Sequence, residues 1–513
     1  MLDLTTSSKD LWFKLDAERG SLLNRCEECA KVTIPFLFPP ASLSNNQMLD
    51  TPFQSLGARG VNTLASKLQL SLFPPNTPFF RYVIDEYTLK EIEAEKMKSN
   101  IEEALASLER TILDYIESSG DRVKHFEALR LLITTGNALI MFPFNDVNLP
   151  IKVFSLRNYV VKRDATGKPI LIIVKETITH HSLPDTIKQY FTDKSDINLF
   201  TKVWLSDDDS KYHLIQEVDE IVIPNSEVVF KDEDEIPLLP LRWVSLAGED
   251  YGRGHIEQYL GDLLSYETLS KSVVQASAVA SKILFLLSPN AILKVKDLVN
   301  SESGDIIIGN ESDVKILQTD KLNDLQITQS VLNEMQQRLS YAFLMNTAIQ
   351  REAERVTASE IRYMAKELED TLGGVYSILS QEYQAPYLRK KIKLLSKFKK
   401  IPKLPDNVKP KIITGIEALG RGQDLDKLTV FIQTVANLGQ EAFSYLKMDN
   451  IVKRVGASVG IDMSDIVKTQ EEIAQEQEAL AQQQMMSQML VRGTPEMMKQ
   501  MQQASQQEQQ NEV

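Results

Sequence analysis

The segment 350–382, QREAERVTASEIRYMAKELEDTLGGVYSILSQE, limits the fold most strongly, because a polar leader there runs into a long amphipathic helix. Thr357 and Glu360 have the spacing of a capping box, in which each side chain satisfies the other's backbone N–H, so we expect a helix to begin there. Gly373 and Gly374 interrupt that helix. Because each glycine costs roughly 1 kcal/mol relative to alanine in a helix interior, the pair predicts a kink or a close helix crossing. The apolar side chains recur every three or four residues and form one stripe: Ile361, Met364, Leu368, Leu372, Val375, Leu379 and Tyr383.

The residues just before this segment predict two long helices around a small tip. Residues 256–287 keep a helical apolar periodicity that stops before Pro289. The segments 305–308 and 314–317 predict a β-hairpin around a Gly-Asn turn. We therefore expect an antiparallel helical hairpin with a β-containing tip. The returning helix has its apolar stripe at Val331, Met335, Leu339 and Phe343.

The remainder of the chain combines helices with a β-rich middle. Strands are predicted throughout 151–244, because short β-branched and aromatic runs alternate there with turn residues. One hairpin pairs 159–163 with 170–176, and another pairs 200–205 with 212–217. We therefore expect an α+β fold that is mainly α-helical. Helical periodicity covers 8–31, 53–72, 89–117 and 123–135, and small residues on the first turns of the second of these permit close approach of a neighbouring element.

The acidic balance of the chain argues against tight, sequence-reading DNA binding. Asp and Glu number 71 against 57 Lys and Arg, which gives a net charge of −14. A protein of that sign gains little counterion-release free energy from duplex DNA, although a channel through which DNA slides tolerates weak attraction. The length of 513 residues predicts about three domain-sized units. Since no apolar run approaches the length of a membrane span, we expect a soluble intracellular protein.

Searches for catalytic and metal-binding motifs give no candidate. The sequence has no phosphate-cradling glycine loop, no dinucleotide-binding fingerprint, no HExxH and no GxSxG. Cys26 and Cys29 form one C-x-x-C pair without histidines near them in sequence, which favours two reduced thiols over zinc. The three aspartates at 207–209 lack the ligand spacing of a calcium loop, which favours a solvated turn. We therefore expect neither an enzyme nor a cofactor or metal.

A cationic run follows the kinked helix at 388–403, LRKKIKLLSKFKKIPK. With apolar residues along one side, such a helix can lie on phosphates or on a membrane surface. The alternative is a solvated helix end whose lysines offset acidic surface nearby. Separately, residues 231–235 are expected to form an exposed acidic loop.

Several long strings of this sequence resemble the portal, or head-to-tail connector, of short-tailed podophages of the autographivirus type. Strings of this length are highly specific, and they cover most of 33–465. The N-terminal residues, the turn at 206–210 and the C-terminal tail lie outside the resemblance. The strings are TIPFLFP (33–39), GARGVNTLASKL (57–68), YVVKRDATG (159–167), GEDYGRGHIEQYLGDL (248–263), RVTASEIRYMAKELEDTLGGVYSILSQE (355–382) and GIEALGRGQDLDKL (415–428).

The resemblance implies a phage portal fold with wing, stem, clip and crown, in which a kinked helix follows a tunnel loop. Subunits of this family assemble as a ring, usually a dodecamer. The implied division is a wing at 1–254, stem helices at 255–290 and 328–346 around a clip at 291–327, a tunnel loop at 347–356, a kinked long helix returning to the wing at 357–414, a crown at 415–468, and a Gln/Met-rich, partly disordered tail at 469–513.

The function that the resemblance implies is passive and structural. The ring at one capsid vertex is a conduit for DNA packaging and ejection, and a docking platform for the terminase motor and then for tail proteins. The expected partners are further copies of the chain, double-stranded DNA bound weakly and without sequence specificity, major capsid and scaffold proteins, terminase, a tail adaptor and internal core proteins, but no membrane. The expected location is the portal vertex of the virion, after assembly in the host cytoplasm. The alternative is another structural ring component of the head-tail junction, such as an adaptor or a scaffold-like protein.

The resemblance also implies which residues act on DNA. Ring copies of the tunnel loop surround the DNA, and Arg351 and Arg355 touch phosphates weakly. The alternative is that these arginines pair with Glu352, Glu354 or carboxylates of a neighbouring subunit. The implied site residues are Gln350, Arg351, Glu352 and Arg355 in the channel, Gly373 and Gly374 at the helix kink, and Arg421, Lys390 and Lys391 as phosphate or crown contacts.

Overall fold

The computed structural model describes most of the chain up to residue 402 and short stretches beyond it. The described residues are 6–42, 47–75, 79–83, 95–144, 146–191, 196–280, 284–289, 294–306, 308, 310, 314–317, 322–345, 358–372, 374–402, 411–414, 429–435, 437, 446 and 451. The chain divides into two compact units, one of Met1–Glu93 with Leu108–Gly420 and one of Ala94–Ser107 with Arg421–Val513. Almost all described elements belong to the first unit.

The long helices overlap the segments in which the apolar periodicity predicts helix, whereas the short helices Asp185–Lys188 and Val295–Val299 have no predicted counterpart. The helical pattern at 8–31 forms two helices that separate at Arg19, and the first begins with the Ser7 hydroxyl accepting a hydrogen bond from the Asp10 N–H at 3.2 Å. A π-helical turn, Ser380–Gln384, joins two helices near the C-terminal end of the first unit. The helices are α1 (Ser8–Glu18), α2 (Gly20–Lys31), α3 (Leu56–Leu72), α4 (Glu95–Ser118), α5 (Asp121–Thr135), α6 (Asp185–Lys188), α7 (His255–Ala280), α8 (Val295–Val299), α9 (Leu322–Ala342), α10 (Ala358–Leu372), α11 (Val375–Leu379) and α12 (Ala385–Lys397).

Among the described residues, the strands form one large antiparallel sheet and three small ones. The large sheet has the order β4-β5-β6-β7-β8, with β9 also paired to β7. Both predicted hairpins are confirmed, because β4 pairs with β5 and β6 pairs with β7. The small sheets are β10-β2-β3, β1-β13 and β11-β12. The strands are β1 (Phe80–Val83), β2 (Asn137–Met141), β3 (Lys152–Phe154), β4 (Tyr159–Arg163), β5 (Pro169–Ile178), β6 (Ile197–Leu205), β7 (Tyr212–Val218), β8 (Ile221–Val222), β9 (Val228–Phe230), β10 (Leu238–Arg242), β11 (Leu284–Leu287), β12 (Val314–Leu317) and β13 (Lys411–Thr414).

Residue alternation along the strands buries both faces of the large sheet. On one face Val160 packs in a cluster with Trp12 of α1. On the other, Val161 and Ile172 pack in a cluster with Ala30 of α2. The two N-terminal helices thus cover opposite faces of the sheet, and the result is the mainly helical α+β fold that the sequence predicts.

Side chains close the free edge of β4. The Val161 N–H donates to the Tyr251 hydroxyl at 3.0 Å, and the Arg163 N–H donates to the Asp250 carboxylate at 2.8 Å. The Arg19 guanidinium donates to the Tyr159 carbonyl at 2.6 Å. An open edge strand invites pairing with another chain, and the string 248–263 supplies two of the side chains that prevent it here.

The helical hairpin differs from its prediction at the tip. The first long helix ends at Ala280, and Leu284–Leu287 forms a strand instead of continuing it. That strand pairs antiparallel with Val314–Leu317, with Phe285 opposite Ile316. The hairpin predicted between 305–308 and 314–317 is therefore wrong, since the partner of the second segment lies before the tip.

Both cysteines lie in helix α2, within the described residues. Cys26 and Cys29 are free and buried, and burial raises the pKa of each thiol to about 12. Thiols of such high pKa are unreactive. In the part of the chain that the structure describes, no three His, Cys, Asp or Glu side chains come together as a metal-binding group. Among those same residues, no helix combines the length and the apolar character needed to cross a membrane.

Candidate functional site

Helix α3, which carries the string GARGVNTLASKL, is the element against which both sides of the predicted tunnel loop pack. Its side chains Val61, Leu64 and Leu68 have no exposed surface. Gly60 allows the close approach that the small residues predict, because a Cβ at this position lies only 2.5 Å from the Phe343 ring. Gly57 is likewise pressed against the Val32 carbonyl. A substitution at either glycine displaces the neighbouring chain.

The two long helices α7 and α9 are fastened together at the base of the hairpin. Nε2 of His255, at the start of α7, donates to the Ala342 carbonyl at the end of α9 over 2.9 Å. Burial lowers the pKa of His255, so the ring is neutral. Phe343 is fully buried, and Leu344 then takes a left-handed φ of 55°, which ends the helix. The predicted stripe on α9 holds at Met335, Leu339 and Phe343, whereas Val331 is 41 % exposed.

A single lysine on α3 contacts both sides of the loop. The Lys67 ammonium donates to the Leu344 carbonyl at 2.8 Å and lies 3.8 Å from the Glu367 carboxylate of α10. Lys67 is 8 % exposed, and burial lowers its pKa while Glu367 acts in the opposite direction. One buried cation therefore contacts both the residue that follows α9 and the second half of α10.

The segment after the loop is a helix broken at one glycine. Gly374 has φ of +88°, a left-handed conformation that ends α10 and precedes α11. The Glu369 carboxylate bridges the break, since it accepts from the Ser377 N–H at 3.0 Å and from the Ser377 hydroxyl at 2.7 Å. The interruption predicted here is present at Gly374, whereas Gly373 lies outside the described residues. The predicted stripe is buried where the structure describes it, at Met364, Leu368, Val375, Leu379 and Tyr383.

The broken helix caps the C-terminal end of α3. The Tyr376 hydroxyl donates to the Ser71 carbonyl at 3.0 Å, and the Gln384 amide donates to the Leu72 carbonyl. The last carbonyls of a helix have no partner within the helix. Tyr376 and Gln384 supply those partners, so the C-terminal turn of α3 and the segment after the loop form one hydrogen-bonded unit.

A buried polar cluster, which we call the interior cluster, joins α5 to α12. It consists of Asp121, His125, Tyr383, Tyr387 and Lys391, all without exposed surface. The Asp121 carboxylate accepts from the Lys391 ammonium at 2.9 Å and from the Tyr387 hydroxyl at 2.5 Å. Burial opposes the charge on Asp121, but Lys391 and these hydrogen bonds hold the pKa of its carboxyl below the usual value. The cluster thus contains a hydrogen-bonded ion pair in the interior.

His125 is the neutral member of the interior cluster. Its Nδ1 lies 2.6 Å from the Tyr383 hydroxyl, and its ring stacks on Phe73 with centroids 3.9 Å apart. Burial lowers the pKa of His125 to about 3. The imidazole is therefore uncharged at neutral pH and acts as a packed aromatic ring with one hydrogen bond.

The outer side of α12 carries cations in a different setting, which we call the rim pairs. Arg389 lies 3.0 Å from the Asp234 carboxylate, and Lys393 lies 3.1 Å from the Asp232 carboxylate. These side chains are between 30 % and 67 % exposed. The alternative that basic residues offset acidic surface nearby therefore describes these two positions, and the structure identifies that surface as the loop at 231–235.

The phosphate contacts predicted at Lys390 and Lys391 need correction. Lys391 is committed to Asp121 in the interior, and Lys390 donates to the carbonyls of Glu233 and Ile236. Burial also lowers the pKa of Lys390 to about 8. Both ammonium groups point into the protein because apolar neighbours cover them and internal oxygens satisfy them.

The described residues do not include the predicted channel residues, Gln350, Arg351, Glu352 and Arg355. They also do not include Arg421, which was predicted as a phosphate or crown contact. What the structure shows is how the chain is held on either side of them, at Leu344 and at Glu367. Sequence reasoning did not single out Lys67, although it lies inside a string that carries the resemblance. A buried lysine gives no signal in apolar periodicity.

Comparison with known proteins identifies the class to which this chain belongs. Residues 5–467 match the family described as bacteriophage head to tail connecting protein. The chain belongs to this family, and the mainly helical α+β fold with its paired long helices agrees with the one expected from the resemblance.

Its curated relatives are portal proteins. That of Escherichia phage T7 is 40 % identical over 490 residues, covering 93 % of this chain and 90 % of the relative. That of Enterobacteria phage SP6 is 30 % identical over 501 residues, covering 93 % of each. Among solved structures, the virion of a native gene transfer agent particle aligns with a TM-score of 0.38 and 11 % identity over 78 % of this chain and 89 % of that one. The family match and the relatives named portal protein confirm the family predicted from the sequence, together with a structural role at the head-tail junction of the virion.

Proposed function

We propose that copies of this chain form a ring, with twelve subunits as the family resemblance implies, at one capsid vertex. The ring is the conduit through which double-stranded DNA enters and leaves the head. It first docks the terminase motor and later the tail adaptor, and it contacts capsid, scaffold and internal core proteins during assembly in the host cytoplasm. The relatives named portal protein support this function, since they align along nearly their whole length.

We assign the parts of the subunit on the same basis. The wing comprises α1 to α5 and the β-rich middle, and α7 and α9 are the stem helices. The predicted division assigned 255–290 to the first stem helix and 291–327 to the clip; we now begin the clip after Ala280, so that it contains β11 and β12. The pairing of Leu284–Leu287 with Val314–Leu317 supports placing the start of the clip at the end of α7. The tunnel loop at 347–356, the crown at 415–468 and the tail at 469–513 keep their predicted positions.

One observation carries the assignment of the tunnel loop. The chain leaves α9 at Leu344 and returns as α10, and Lys67 of the tightly packed α3 contacts both sides. A polar loop that encircles moving DNA needs a rigid mount, because thermal motion of the loop otherwise changes the width of the channel. The firm attachment of both flanks to a buried helix is the geometry that such a mount requires.

The loop acts on DNA through weak and non-specific charge contacts. Arg351 and Arg355 from each copy face the phosphates, and the overall charge of −14 keeps the attraction too small for DNA to stick. Passage of the genome in both directions requires that balance.

Substitution of the loop arginines tests the proposed function. We expect Arg351→Ala and Arg355→Ala to assemble rings of normal appearance by electron microscopy but to lower the amount of DNA packaged or retained per head several-fold. Arg389→Ala is the matched control, because it removes an arginine charge that pairs with Asp234 away from the loop. Full heads in both loop variants contradict the channel assignment, and a compact monomer without an axial hole contradicts the ring.

A further inference from the structure

Three polar groups from distant parts of the chain meet where the residue before the proposed tunnel loop and the second half of α10 both contact α3. They are the Lys67 ammonium, the Leu344 carbonyl at 2.8 Å and the Glu367 carboxylate at 3.8 Å. The side chains of Lys67 and Glu367 are only 10 % and 16 % exposed. Interactions between charges are stronger in such surroundings than at an exposed surface.

The helix that carries Lys67 is well suited to serve as a fixed point. Leu64, Ala65 and Leu68, on either side of Lys67 in α3, have no exposed surface. The end of α3 is held by Tyr376 and Gln384, which belong to the chain after the loop. Motion of Lys67 relative to the core is therefore restricted.

The Leu344 carbonyl accepts one of the hydrogen bonds of Lys67. Leu344 has φ of 55°, so its backbone leaves the helical path, and it is 6 % exposed. A buried carbonyl without a hydrogen bond costs free energy comparable to a lost hydrogen bond. The lysine has several donors on one compact head, so it can serve this carbonyl and the Glu367 carboxylate together.

We propose that Lys67 is a positioning residue that holds the chain before the tunnel loop, at Leu344, and helix α10 after it, at Glu367, against α3. Its importance for DNA passage rests on the function proposed for the loop, but the positioning itself does not. With Lys67 in place, Leu344 after α9 and Glu367 in the second half of α10 contact one ammonium group. Without it, both segments lose a contact to α3, and we expect them to open more often.

Hydrogen exchange measured by mass spectrometry on the full-length assembled protein tests this proposal. The reporting peptides are 340–345, in which the Met345 N–H donates to the Ser340 carbonyl at 2.8 Å, and 358–367 at the start of α10. We expect Lys67→Met, which keeps the length of the side chain but removes its donors, to raise the exchange rate in both peptides about tenfold.

The matched control is Lys202→Met in β6. Lys202 is 1 % exposed, and its ammonium donates to the Thr6 carbonyl at 2.9 Å, so the substitution removes a buried lysine of the same kind in another place. We expect it to leave both reporting peptides unchanged. Glu367→Gln removes only one partner of Lys67, so it should raise exchange at 358–367 and leave 340–345 close to the wild-type rate.

The outcomes are distinct. Faster exchange in both peptides for Lys67→Met but not for Lys202→Met supports the positioning role. Unchanged exchange, or an equal effect of the control, overturns it. DNA content of heads containing Lys67→Met is measured separately: faster exchange with normal DNA content leaves the positioning role standing and counts against the proposed action of the loop on DNA.

Discussion

The two sides of helix α12 hold the same kind of residue in opposite electrostatic settings. In the interior cluster, Lys391 and Asp121 lie 2.9 Å apart and neither side chain is exposed. In the rim pairs, Arg389 and Asp234 lie 3.0 Å apart, with side chains 43 % and 30 % exposed. The distances are almost equal, so the difference in burial, and not the distance, determines how much each pair contributes to the stability of the fold.

The comparison shows why the interior pair needs additional hydrogen-bond donors and the rim pairs do not. A buried charge loses its hydration, and the attraction of one partner repays that loss only when further hydrogen bonds satisfy the remaining lone pairs. Asp121 has them, from the Tyr387 hydroxyl at 2.5 Å and the Ile151 N–H at 3.0 Å. The rim groups are exposed and can be hydrated, so forming or breaking those pairs changes the free energy of unfolding little.

Removal of the interior cation should have the largest effect. Lys391→Met leaves the Asp121 carboxylate buried without its counter-charge, and we expect the free energy of unfolding to fall by about 3–5 kcal/mol. Denaturant melts of the purified protein measure this loss. Lys393→Met on the same helix is the matched control and should change the value by less than about 1 kcal/mol.

A double substitution separates the lost charge from the lost packing. Asp121→Asn combined with Lys391→Met removes both charges and keeps a side chain that can still accept from the Ile151 N–H. We expect the pair of changes to be less damaging than Lys391→Met alone. If the double variant is the less stable of the two, the uncompensated carboxylate is not the cause.

The second prediction concerns the pH dependence of His125, whose ring faces Tyr383, Phe73 and Tyr387 with the Asp121–Lys391 pair nearby. Its folded pKa of about 3 lies below the ordinary value of 6.5. The unfolded chain therefore binds a proton at higher pH than the folded one, so stability is complete above pH 6.5 and falls as the pH decreases toward 3. We expect a loss of about 2 kcal/mol between about pH 6.5 and pH 4.5, measured by denaturant melts.

His125→Asn is the control, because it offers a hydrogen-bonding group near the position of Nδ1 but does not titrate. It should be less stable than the wild type at pH 7, since the stack on Phe73 is lost, and its stability should change less over the same range. Working above the ordinary pKa of Asp121, 3.8, keeps that carboxylate charged throughout. Equal pH dependence of the two proteins would falsify the assignment of a neutral buried imidazole.

The sequence correctly predicted the elements that depend on local residue spacing. The predictions were wrong where the structure of a segment depends on a partner far away in the sequence. The stripe at Met364, Leu368 and Val375 and both hairpins of the large sheet follow from spacing alone. The apolar run at 283–287 fits a helix or a strand equally well. The segment forms a strand because Leu284–Leu287 pairs with Val314–Leu317. That pairing cannot be predicted from the local sequence pattern.

The same reason explains the errors at the candidate site. Lys391 looks like its exposed neighbour Lys393 in the sequence, and its partner Asp121 lies 270 residues away. Lys67 reaches Leu344 across 277 residues. Burial of a charge depends on tertiary contacts, so the cationic run at 388–403 predicts basic residues on a helix but not which of them are internal. The strings that carry the family resemblance include α3 and the broken helix, but they do not reveal the hydrogen bonds that connect the two.

The smallest expected effect tests the rim side of the comparison. Arg389→Ala removes a pair whose members are largely hydrated, and we expect a loss of no more than about 1 kcal/mol at low salt. Because the Debye length falls from about 10 Å at 0.1 M salt to about 3 Å at 1 M, the difference from the wild type should shrink as salt is added. The deficit of Lys391→Met should persist under the same conditions, since ions cannot approach the buried carboxylate. Denaturant melts of both variants at the two salt concentrations measure this contrast, and a salt-sensitive deficit at Lys391 would mean that the interior cluster is open to solvent.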